Sequence, residues 1–173
     1  MSGAVPVEML EAEHRVIQKM VAGMSVLAEQ LELGEPVDVS LLESIVVFLR
    51  TFADRCHHGK EEAFLFPALI RRGVPSHGCP IGGLTMEHQK GRVMVGEMAD
   101  AVRGYAAGQP SVRENLVRSL RALVAFYPNH ILFRNGVERV LQVTLPPDGL
   151  SALVKSATIL REAIEQLELI VAS

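Results

Sequence analysis

Six histidines stand at positions 14, 57, 58, 77, 88 and 130, against two tyrosines and no tryptophan. Neutral imidazole is the commonest metal ligand among side chains, so the question is whether the fold gathers these rings. Four fall where a helix would turn them inward. His14 lies between Leu10 and Ile17 on an apolar helical stripe. His88 lies between Leu84 and Val95, with small Gly91 on the same seam, and His130 is seven residues from both Leu123 and Val137. His57 flanks a seam, beside Val46, Ala53 and Phe64, while His58 should point roughly 100° further round, toward Thr51, Asp54 and Glu62. A single histidine on an apolar face is usually a core residue held by one hydrogen bond. Four that converge each need a partner, and one shared metal satisfies them together. Glu61 follows His57 by four residues, one helical turn, and can reach the same centre. Imidazole with carboxylate suits iron, manganese or zinc.

The elements that position these residues read as helices throughout. Alternating steps of three and four place Val7, Leu10, Ile17, Val21, Met24, Ala28 and Leu31 on one stripe of a first helix, Val7 to Leu33. The second runs from Ser40, with a capping-box pattern to Glu43, as far as Arg72; its seam is Leu42, Ile45, Leu49, Phe52, Cys56, Ala63, Phe66 and Ile70. A Gly/Pro-rich loop over 73–80 precedes a third helix, Ile81 to Ala107, and the fourth runs from Ser111 to Thr144 with Pro128 inside it. A fifth, over about 148–171, packs on the bundle's side or makes a homodimer, and periodicity does not choose between these. The expected fold is all-α: an up-down-up-down four-helix bundle, core about 7–145, plus a C-terminal helix, in a single domain over 1–173. At 1.5 Å per residue, antiparallel packing sets His14 level with His57, and His88 level with His130. The join between the two pairs does not balance and needs the 73–80 loop to make up the difference.

Composition narrows the function. Of 173 residues, 49% are hydrophobic and 21% charged, with a formal charge of −3 and no basic run, which argues against nucleic acid as a partner. No long uncharged apolar stretch suits a membrane span and no signal segment opens the chain, so a cytoplasmic location is expected. Two cysteines cannot build a disulfide scaffold. Cys56 reads as a buried inert thiol. A zinc site of Cys56, His57, His77 and Cys79 can be drawn, but it leaves His14, His88 and His130 unexplained. His58 and His77 read as bystanders, Glu62 and Glu87 as acceptors for ligand imidazoles or as solvated acids, and Tyr127 as core with a hydroxyl near the site. No Ser-His-Asp set, P-loop or paired acid and base is visible, so no catalytic residues are assigned and a binding protein is expected rather than a turnover enzyme.

The strings Glu13-His14, Cys56-His57-His58-Gly59-Lys60-Glu61-Glu62 followed by Leu65-Phe66-Pro67, Glu87-His88 with Gly91-Arg92, and His130-Ile131 resemble the hemerythrin-like HHE cation-binding domains over about 7–145. The resemblance implies a four-helix bundle around a non-haem di-iron centre, ligated by histidines and bridged by two carboxylates and an oxygen. It implies His14, His57, His88 and His130 as ligands and Glu61 as one bridge. Members bind oxygen, respond to nitric oxide or peroxide, or sense and store iron, so a small diatomic or peroxide ligand is the expected partner.

The chain departs from that pattern once. Where the family's fourth helix reads His-x-x-x-Glu, Arg134 follows His130. Arginine is always charged and has only donors, so it is no ligand and repels a cation. Arg134 could pair with Glu61 or Glu62 and leave a single or asymmetric metal site. It could instead turn outward while Glu62 or Glu138 supplies the missing oxygen, or the site could be degenerate. The competing expectation to an iron protein is a metal-depleted helical interaction or regulatory module in which Arg134 replaces the metal's charge. Restoring the acid tests this: in Arg134→Glu a higher metal content per chain than in the parent, by elemental analysis, would show that Arg134 limits the site, and an unchanged stoichiometry that it does not.

Overall fold

A computed structural model describes residues 6–71 and 73–141, with side chains over 10–71 and 73–131. Helix α1 covers Pro6–Glu32. Helix α2, Val39–Phe48, continues through π-helical stretches at Leu49–His58 and Glu61–Leu65 into α3, Phe66–Arg71. Helices α4, Ile81–Ala106, and α5, Val112–Leu141, complete the set, and no strand occurs among the described residues. These make four helical rods in a bundle. Helix α5 packs along both α1 and α4, while the α2 rod closes the other side against α4 and, at its π stretch, α1. The C-terminal helix expected over 148–171 lies outside the described residues. No helix among those described is long and apolar enough to cross a membrane.

Local chemistry sets the ends. Gly34 takes φ +85°, donates its N–H to the Leu31 carbonyl, and lets Glu35 reach back to Gln30, so the last carbonyls of α1 are satisfied by a left-handed glycine cap. Gly108, at φ +64°, repeats this after α4, with Gln109 bonded to Gly104. The start of α2 differs from expectation. Asp38, not Ser40, is the cap, its Oδ1 accepting from Ser40 N–H at 2.8 Å, so a free amide of the first turn is satisfied by a carboxylate two residues before it.

The expected stripe of α1 is buried from Leu10 through Leu31, as is that of α4 at Ile81, Leu84, Val95, Met98 and Val102. In the second rod the stripe holds from Leu42 to Cys56 and then slips. Ala63 and Ile70 are exposed, whereas Glu61, Leu65, Ala68 and Leu69 are buried. The cause is the π stretch, whose wider i→i+5 turns shift the angular register on which a 3.6-residue stripe depends.

The apolar interior is divided. A large core gathers Ile17, Met24, Phe48, Phe52, Val95, Leu116, Leu120, Leu123, Tyr127 and Ile131 among others. A smaller one holds Leu10, Leu65, Phe66, Ala68, Leu69, Ile81 and Leu84. Along the α1, α2 and α4 rods, the buried histidines fall between members of these two cores. Truncating the large core should be costly: Leu120→Ala, at a fully buried position, is expected to lose about 2–5 kcal/mol in denaturant unfolding. Leu33→Ala, at a side chain 71% exposed, should stay within about 0.5 kcal/mol of the parent.

Candidate metal centre

Five imidazoles and one carboxylate meet in the layer between the two cores. His14, His57, His58, Glu61, His88 and His130 are each at most 2% exposed. They form two groups, His14 with His57 and Glu61, and His58 with His88 and His130, and within each group the donor atoms lie within 4.8 Å of one another. Two donors on one ion at metal–nitrogen distances of about 2.1 Å stand about 3–4 Å apart, so modest closure suffices. Glu61 joins the groups: Oε1 lies 3.3 Å from His57 Nε2 and Oε2 lies 3.3 Å from His88 Nε2.

All five expected ligands are therefore brought together. The ring centroids of His14 and His57 are 4.6 Å apart, and those of His88 and His130 are 5.3 Å apart, as the depth argument required. The unresolved join closes through Glu61 and through His58, which stacks on His88 at 3.9 Å. His58 corrects the sequence reading. It is no bystander but the third imidazole of the second group, turned inward because the π-helical turn narrows the roughly 100° step between neighbouring side chains. His77 is an exposed loop residue, as expected.

Outside the layer, carboxylates hold the rings. His57 Nδ1 donates to Glu13 Oε2 at 2.9 Å, His88 Nδ1 to Glu62 Oε1 at 2.6 Å, and His130 Nδ1 to Glu87 Oε2 at 2.7 Å. An acceptor on Nδ1 fixes the proton there and leaves Nε2 as the inward lone pair, the arrangement that orients metal-bound imidazoles. Glu62 is thus placed as an acceptor on the outer nitrogen of His88, one of the roles considered for it. The side chains of Arg134 and Glu138 lie outside the described residues.

Cations complete the set. Lys60, 4% exposed, donates to Glu13. Burial pushes the Glu13 carboxyl up, and the Lys60 hydrogen bond and charge oppose it. Arg92 bonds Asp54 Oδ1 through Nε at 2.8 Å and Glu62 Oε1 through Nη2 at 2.9 Å. Burial would raise Asp54, but His58, whose Nδ1 is 3.5 Å away, and Arg92 outweigh it and hold the carboxyl down at about 2. Burial also raises the Cys56 thiol, in keeping with an inert core residue. Tyr127, raised first by burial and then by Asp54, lines a cavity of about 280 Å³ together with His58, Asp54, Gly91, Arg92 and Val95.

Sequence reasoning set His58 toward Asp54, one turn before it, but missed the parts played by Glu13, Lys60 and Arg92. Gly91 has a packing reason: a Cβ there would come within 3.2 Å of Phe126, whose ring stacks on His130 at 5.6 Å.

The donor set fits a metal of borderline character. It combines imidazole with carboxylate and contains no thiolate. The buried His88 Nε2 makes no hydrogen bond among the described residues and lies 3.3 Å from Glu61 Oε2, and a bound cation would satisfy both atoms. No curated protein and no solved structure matches the chain. The sequence pattern described as the hemerythrin HHE cation binding domain matches residues 5–137, which include every member of both groups. The chain belongs to the hemerythrin HHE cation-binding family.

Proposed function

We propose that this chain holds two adjacent non-haem iron ions in its buried layer, one at His14, His57 and Glu61 and the other at His58, His88 and His130. Through them it binds or senses oxygen, nitric oxide or peroxide. The observation that carries this reading is Glu61, a carboxylate with no exposed surface, set between Nε2 atoms of two separate histidine groups. Such a residue pays a large desolvation penalty in an apolar bundle unless cations flank it. Iron bound there supplies an open coordination position and a change of oxidation state.

The chain's own residues do the rest. Glu13, Glu62 and Glu87 keep protons on the outer nitrogens of His57, His88 and His130, so that the inner nitrogens are lone pairs. Leu10, Phe66 and Leu84 on one side and Ile17, Tyr127 and Ile131 on the other exclude bulk water. We read the four rods as an up-down-up-down bundle, which sets neighbouring histidines at one depth. The metal-free alternative has to hold Glu61, with no exposed surface, on contacts of 3.3 Å to His57 Nε2 and His88 Nε2, which favours the metal.

Protein purified without oxygen and reconstituted with ferrous iron is expected to bind about two irons per chain and, after oxidation, to absorb in the near ultraviolet as coupled ferric ions do. A chain that takes up no iron under those conditions is the metal-free module instead. The ligand assignment has its own check. His58→Ala should bring the iron content from about two toward one per chain, while His77→Ala leaves it unchanged. Equal iron in both variants would return His58 to a packing role.

A further inference from the structure

One guanidinium outside the layer is connected to two of its imidazoles. Arg92 stands one turn after His88 on α4, its side chain 38% exposed. Through Nε and Nη2 it bonds Asp54 Oδ1, at 2.8 and 2.7 Å, and through Nη2 it bonds Glu62 Oε1 at 2.9 Å. Glu62 Oε1 in turn accepts from His88 Nδ1 at 2.6 Å, and Asp54 Oδ1 lies 3.5 Å from His58 Nδ1. The three side chains come from three segments: Asp54 from the first π stretch, Glu62 from the second, and Arg92 from α4.

We infer that Arg92 is the positioning residue of the His58/His88/His130 half, a clamp that fixes two ligand imidazoles through the two carboxylates it holds. This rests on the metal reading above and deepens it. Guanidinium chemistry suits the task, since a planar fork presents several donors in fixed directions and can hold two carboxylates at once. An ammonium is a point charge without that geometry. The other half has a separate support, Lys60 on Glu13 on His57, so removing Arg92 should act on one half only. The ordinary expectation for an exposed ion pair is a small effect on stability and none on the site. The two accounts therefore part at the imidazoles.

The test uses full-length Arg92→Ala, Arg92→Lys and the exposed-pair control Arg103→Ala, whose partner Asp100 lies outside the site. Ferrous protein challenged with a chelator should release one of its two irons about tenfold faster, or more, in Arg92→Ala, with the second unchanged, Arg92→Lys between, and the control as the parent. Histidine-labelled protein, metal-free and zinc-loaded, gives a readout that a loss of global stability does not move. The His88 Nδ1–H resonance should shift or vanish in Arg92→Ala while those of His57 and His130 stay in place. Parent-like release and a parent-like His88 signal would overturn the clamp. So would equal loss of both irons with all three signals shifted, which would make Arg92 a general support of the bundle. A parent protein that binds no iron sinks the metal reading, and the metal-free His88 signal then still decides whether Arg92 fixes that ring. An Arg92→Ala chain that fails to fold leaves the decision to Arg92→Lys, in which the His88 signal must move if the fork is required.

Discussion

Everything in this bundle has to accommodate one polar layer. A four-helix bundle gains stability by burying apolar stripes, yet here a slice of the interior is given to five imidazoles, a fully buried carboxylate and a nearly buried ammonium. An unpaired ion in such a place costs several kcal/mol, so the layer persists only if each group meets a partner. The division of the core follows from this. Apolar residues close the layer on both faces, the large core on one side and the Leu10/Phe66/Leu84 group on the other, and the outward edges are left to carboxylates. The chains Lys60–Glu13–His57 and Arg92–Glu62–His88 run from cation to acid to imidazole and stop at the layer. What they leave pointing inward are the Nε2 atoms of His57 and His88, on either side of Glu61.

The backbone bends to the same constraint. Neighbouring side chains on a helix diverge by roughly 100°, so consecutive buried histidines face different parts of the interior. In the second rod they lie on a π-helical run ending at His58, His57 in one group and His58 in the other. π-helical turns are rare and frequent at functional sites, and this one carries the third imidazole of the second group. Gly91 serves the neighbouring position in a different way. Its missing side chain admits Phe126 against His130, so one face of that ring is held by packing and its outer nitrogen by Glu87.

These particulars show which parts of the molecule were legible in the sequence. The helices, their boundaries to within a few residues, and the level pairing of His14 with His57 and of His88 with His130 followed from 3.6-residue spacing and helix length; the join between the two pairs did not, because it depends on how the second and third rods pack. The slip at Ala63 and Ile70 and the inward turn of His58 did not, because both depend on a π register that no residue in 49–58 announces. The outer carboxylates were half legible. Glu62 and Glu87 were noticed for their nearness to histidines in sequence, but the pairings 57 with 13, 88 with 62 and 130 with 87 join different rods and depend on how the rods face each other. Arg92 shows the limit most plainly. In sequence it is one exposed charge on a polar face, and its connection to two imidazoles exists only after three segments have come together.

The two halves of the layer also use different cations, and burial explains the choice. Lys60 is 4% exposed and serves one acid, Glu13. A compact ammonium on a flexible stem can be threaded into a closed interior and satisfied by a single carboxylate beside it. Arg92 stands at the surface, beside the cavity that His58 and Tyr127 also line, and serves two acids from different turns. A guanidinium keeps its charge there and spans both, while solvent covers the part of it that protein does not. One half is thus fixed from within the core and the other from the surface. Changes in the solvent around Arg92 should then reach His58 and His88 directly, and His57 at one remove, through Glu61 and through the neighbouring ring of His58, 5.8 Å away.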